Sequence, residues 1–77
     1  MFAQDFLHKF NKIRVDDLQG REDLINLILE ATEGHSKRSN IEQLIKKYRT
    51  FTSDLDFYSM IGFLAGQIYM GLEVERD

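Results

Sequence analysis

His35 and Ser36 stand side by side, a base next to a hydroxyl. Adjacency along a chain is not a triad, because the base must reach the hydroxyl in space and be oriented by a third group. The remaining serines, Ser39, Ser53 and Ser59, fall at helix starts or inside an apolar segment. With no cysteine there is no thiolate nucleophile, and His8 and His35 alone cannot furnish a structural zinc site. Asp16/Asp17 and Glu22/Asp23 are acidic pairs that a divalent cation would attract. They lack the spacing of a calcium loop, and helix capping and the positive end of a helix dipole explain them more simply. Gly34, Gly62, Gly66 and Gly71 are too dispersed to cradle a phosphate. The sequence therefore assigns no catalytic residue, no metal ligand and no cofactor, and predicts a protein that is not an enzyme.

Contact chemistry is better represented. The formal net charge is −3, yet residues 34–52 carry Lys37, Arg38, Lys46, Lys47 and Arg49 against the single Glu42. These five cations form a candidate basic contact surface, suited to phosphates or to an acidic protein face. A helix–turn–helix over residues 22–50 fits poorly, because Gly34 is followed by five residues before the next helix and only Asn40 and Gln43 resemble base-reading side chains. Nucleic acid is thus the lesser reading of this segment, and a solvated helix face the plainest one.

The elements that must carry these residues are helical. Proline is absent, and the apolar residues recur at three and four rather than alternating. Phe2, Phe6, Phe10 and Ile13 mark one side of a first helix, opposite Gln4, Asp5, His8, Lys9 and Lys12. Asp16 or Asp17 caps a second, which presents Leu24, Leu27, Ile28 and Ala31, is widened by Ile25 and Leu29, and stops at Gly34. Ser39 and Glu42 have the spacing of a reciprocal capping box opening a third, with Ile41, Leu44, Ile45, Tyr48 and Phe51 on one face. Ser53, with Asp56 three residues on, opens a fourth after a short break. The N-terminus from Met1 to Phe10, which contains Asp5 and Lys9, reads as the start of a helix rather than a signal peptide. The prediction is one all-α domain over residues 1–77, a small four-helix bundle with a central apolar C-terminal helix.

That last helix has no charged side chain between Asp56 and Glu73. Phe57, Ile61, Leu64, Ile68 and Leu72 line one side, which the other three helices are expected to cover. A second side holds Ser59, Gly62 and Gly66, flanked by Tyr58 and Tyr69 and bordered by Phe63 and Met70. Each glycine costs a helix interior about 1 kcal/mol relative to alanine, so the pair suggests close approach by another helix. Burial within the chain accounts for this most simply. A homodimer through Ser59, Gly62, Gly66, Tyr58 and Tyr69 is the next reading, and membrane insertion the last. Sixteen residues reach only about 24 Å, short of a hydrocarbon core of roughly 30 Å.

Without disulfides or a metal, a domain this small must rely on efficient packing or self-association. The sequence points to a small interaction protein, a regulator, inhibitor or accessory subunit, acting through a helical surface on a protein partner. The lack of cysteine fits a reducing compartment, and the cytoplasm is the default expectation. The alternative is a nucleic-acid-associated regulator using residues 35–49.

Overall fold

A computed structural model describes residues 1–14, 18–51 and 53–75, with the side chain of Glu75 left aside. Four helices follow in order: α1 (Ala3–Asn11), α2 (Leu18–Ala31), α3 (Arg38–Tyr48) and α4 (Asp54–Glu75). Asp16 and Asp17, expected to cap α2, lie outside the described residues. The fold is the all-α bundle that the apolar spacing predicts. Both α2 and α4 pack against every other helix, whereas among the described residues α1 and α3 do not meet. Two central helices are thus flanked by two short ones.

Their lengths decide what is covered. At about 1.5 Å per residue, α4 with its 22 residues runs about 33 Å, while α1 and α3 run only about 14 and 16 Å. The short helices cover successive portions of one side of α4, and the Cα envelope is a slab of 38 × 25 × 16 Å. The core sits where this side meets α2. Leu24, Ile25 and Ile28 from α2, Phe57 and Ile61 from α4, and Phe6 from α1 are all within 2 % of full burial. Ile41, Ile45 and Tyr48 complete it from α3, and Leu64, Ala65 and Leu72 from the distal part of α4. The expected inner side of α4 is inside, with Ile68 half-buried at its margin.

Several local expectations are corrected. Phe2 precedes α1 as its N-cap and is 70 % exposed, so the buried side of α1 begins at Ala3 and Phe6. The helix ends at Asn11, leaving Ile13 beyond it and half-buried. In α3, Leu44 remains 38 % exposed, and Phe51 lies past the helix end, its ring 5.6 Å from that of Tyr48.

The capping box at Ser39 does not form. The helix starts two residues earlier than a Ser39 cap would place it, with Lys37 at the cap position making no side-chain cap bond. Arg38 explains the shift. Its Nη1 donates to the Leu29 carbonyl at 2.9 Å, supplying a partner to one of the carbonyls left open at the end of α2. Its Nε lies 3.0 Å from Glu42 Oε1, close enough for ion pairing though not aligned as a hydrogen bond. Glu42 is drawn to Arg38, one helical turn back, and is not the reciprocal partner of Ser39.

The end of α2 is closed by the Thr32 hydroxyl, which donates to the Ile28 carbonyl at 2.8 Å, and by Gly34 at φ +78°. The second expected cap does form: the Asp56 amide donates to Ser53 Oγ at 3.3 Å. Losing a working serine cap costs about 1 kcal/mol. Ser53→Ala should therefore lower the unfolding free energy by about that much, while Ser39→Ala should stay within about 0.5 kcal/mol of the parent. Urea titrations of the two variants check this, and equal losses would contradict the assignment of the caps.

Candidate protein-contact surface

The five cations of the basic segment are not gathered into one patch. Arg38 is tied to Leu29 and Glu42 as described, and it joins the start of α3 to the end of α2. Arg49 Nη2 lies 3.2 Å from Glu22 Oε2, linking the opposite end of α3 to α2. These two arginines pin an antiparallel helix pair at both ends. An exposed ion pair such as Arg49–Glu22 adds little stability, but it removes the cation from the pool available to a ligand. Lys37, Lys46 and Lys47 remain exposed. Lys37 precedes α3 while the other two sit in its last turn, about 14 Å along the axis. At 100° per residue Lys37 and Lys46 also project on opposite sides.

The outer side of α4 is different in kind. Met60, Phe63, Met70 and Val74 are 46 %, 67 %, 68 % and 74 % exposed. Together with Gln67, also exposed, they are spaced three, four, three and four residues apart. This is the alternation that keeps a seam facing one neighbouring helix. No charge interrupts it between Asp56 and Glu73. Four large apolar side chains open to water on one helix amount to on the order of 500 Å², at the upper end of the largest patch on a typical monomer.

The small residues singled out from the sequence lie along one edge of this seam. Ser59 and Gly66 are exposed and Gly62 is half-exposed. A Cβ placed on Gly62, Gly66 or Gly71 would meet nothing within 4 Å. Among the described residues no neighbouring helix therefore requires these glycines, and the close internal approach that their presence suggested is not found. Tyr58 and Tyr69 lie further round, half-buried. The Tyr58 ring meets Phe57 edge-on at 5.3 Å, and both rings lie under the Arg21 guanidinium, which also pairs with Asp54. The Tyr69 hydroxyl donates to Glu73 at 3.0 Å. These tyrosines belong partly to the bundle, and Met60, Phe63, Gln67, Met70 and Val74 form the exposed ridge beside them.

On its other flank the ridge adjoins an open groove of about 620 Å³ between α3 and the distal half of α4. Ile41, Leu44, Leu64, Ile68 and Leu72 give it apolar walls, and His35, Lys37 and Asn40 border it from the α2–α3 connection and the first turn of α3. Gln67 and Met70 belong to both ridge and groove. The sequence reading missed this groove because its walls come from separate helices, the end of α2 included, whose relative placement only the fold supplies.

Among the described residues no group of three or more His, Asp or Glu side chains converges as a metal site. His8 is exposed on α1 and His35 lies in the connection before α3. Among the same residues no helix is long and apolar enough to cross a membrane.

The architecture defines a small all-α bundle with one uncovered apolar helix face. No family model matches the chain, and neither the curated proteins nor the solved structures contain a match to it.

Proposed function

We propose that this chain is a non-enzymatic protein-interaction module, a regulator, inhibitor or accessory subunit, whose working surface is the outer side of α4. One observation carries the reading: Met60, Phe63 and Met70 point to water along the charge-free run between Asp56 and Glu73, and Val74 continues their three–four spacing just beyond it. Exposing such a ridge is unfavourable for a free monomer, since each apolar side chain regains about 1.5–3 kcal/mol when fully buried. A partner helix laid along the seam recovers this energy. The adjoining groove accommodates side chains from the same partner, in the manner of an amphipathic helix seated against an apolar surface. The cysteine-free composition supports a reducing compartment, and the cytoplasm is the location that goes with this reading.

The alternative, a nucleic-acid-associated regulator, rests on Lys37, Lys46 and Lys47 once Arg38 and Arg49 are engaged with α2 and Glu42. One experiment separates the two. Tagged parent chain and Phe63→Glu are used to retain proteins from a lysate of the native host at physiological salt. The proposal predicts a stoichiometric protein, or untagged copies of the chain itself, on the parent and not on the variant. Equal retention on both would overturn it, and nucleic acid retained equally by both would favour the α3 segment.

A further inference from the structure

We infer that the occupant of the α4 seam is a second copy of this chain, lying antiparallel with the two-fold axis passing beside Gln67. The inference rests on the reading of α4 as a contact surface and adds the identity and direction of what covers it.

Area is the first argument. A folded monomer of 9.1 kDa exposes about 4,900 Å² by the usual scaling of surface with mass. This chain exposes 5545 Å². An elongated slab spreads that excess over its whole surface, but the exposed ridge, on the order of 500 Å², together with the adjoining groove approaches the roughly 800 Å² that each partner contributes to a standard stable interface. A ridge and groove occupying one side of a slab can supply such an area in a single contact.

The second argument is the chemistry of the seam. Gln67 is its one polar member and sits midway between Met60 and Val74, seven residues from each. A carboxamide both donates and accepts, so two of them facing across a two-fold axis satisfy each other. A single polar residue inside an apolar seam is also a known means of fixing register. With the axis at Gln67, Met60 of one copy meets Val74 of the other, and Phe63 lies beside Met70.

Charge chooses the direction. A parallel pair would stack Asp56, which at 100° per residue lies within about 20° of Gln67, on its own copy, a like-charge contact within the seam. The antiparallel pair sets Glu73 opposite the uncharged turn around Ser59 to Ile61. It also carries the second copy's Asp56 past Val74 toward the end of the groove bordered by Lys37. The Lys37 side chain is exposed there. Opposed helix dipoles favour the same direction.

Because the chain has no cysteine, each single substitution introduces the only thiol. Met60→Cys, Phe63→Cys, Gln67→Cys, Met70→Cys and Val74→Cys are all at exposed positions, so the fold should tolerate them. Each is oxidised mildly and run without reductant. A disulfide requires Cα atoms within about 7 Å. The antiparallel arrangement predicts that Gln67→Cys alone links efficiently to itself, and that Met60→Cys and Val74→Cys link to each other when mixed. Self-linking at all five positions would overturn the antiparallel geometry. Failure of every variant to link, with the parent sedimenting as a single chain up to millimolar concentration, would overturn the second copy as occupant. In that event, loss of a different protein on Phe63→Glu in the retention experiment would leave the contact-surface reading standing.

Discussion

Phe57→Ala is expected to lower the unfolding free energy by about 3–5 kcal/mol, the range for removing a buried aromatic ring from a core. Phe57 is 1 % exposed and sits where α4 begins its long run across α2. The loss extends beyond the ring's own burial. Arg21 lies 4.6 Å above the ring centroid with its side chain only 16 % exposed, and it reaches Asp54 from there. Without the ring, the guanidinium keeps its desolvation and loses the π face that helps offset it. A domain of 77 residues has a total stability of about 4–12 kcal/mol, so the variant should be partly or wholly unfolded at room temperature. Circular dichroism in urea reads the result. A decrease below about 1 kcal/mol would mean that the α2–α4 junction is not the centre of the core.

The second large effect concerns Phe63, which is six residues further on and 67 % exposed. Phe63→Glu should leave the single chain as stable as before, within about 0.5 kcal/mol, because it removes no buried contact. Its effect falls on association. Placing a carboxylate in an apolar seam beside Met70 of the second copy desolvates a charge without a partner, and both copies bear the change. The dissociation constant should rise at least about a hundredfold, equivalent to roughly 2.7 kcal/mol. Thermal melts at several protein concentrations separate the two terms, since linkage to dimerisation makes the melting temperature of the parent rise with concentration. The melting temperature of Phe63→Glu should not move. A variant that melts far below the dilute parent would show instead that Phe63 supports the bundle.

The two phenylalanines also show what the sequence can and cannot convey. The inner side of α4 was legible because Phe57, Ile61, Leu64 and Leu72 recur with helical spacing, and a helix must bury one side. The outer ridge was present in the same letters, in the three–four spacing from Met60 to Val74. It was obscured because a helix apolar all round ordinarily lies wholly inside. The other three helices pack against the inner side and leave the outer one open, and that arrangement depends on where helices end and how they dock. Those endpoints were the least legible feature: Arg38 displaces the start of α3 by bonding to Leu29, nine residues earlier, which no local capping pattern reveals. The basic segment failed as a unit for a similar reason. Arg49 and Glu22 are 27 residues apart in sequence, and only the antiparallel packing of α2 on α3 brings them together. Ser53 was read correctly because its partner, the Asp56 amide, is local.

Gly62 and Gly66 had suggested a close helix–helix approach. Among the described residues a Cβ at either position would meet nothing within 4 Å, and the larger apolar ridge lies beside them. The glycine-threaded segment is therefore one edge of a broader exposed surface, in which large apolar side chains stand beside small residues.

Sedimentation equilibrium of the parent chain alongside Phe63→Glu, across the micromolar to millimolar range, tests the central claim most directly. The account predicts that the parent approaches twice its 9.1 kDa chain mass and that the variant remains at the single-chain value. Identical masses for the two proteins at every concentration would contradict it.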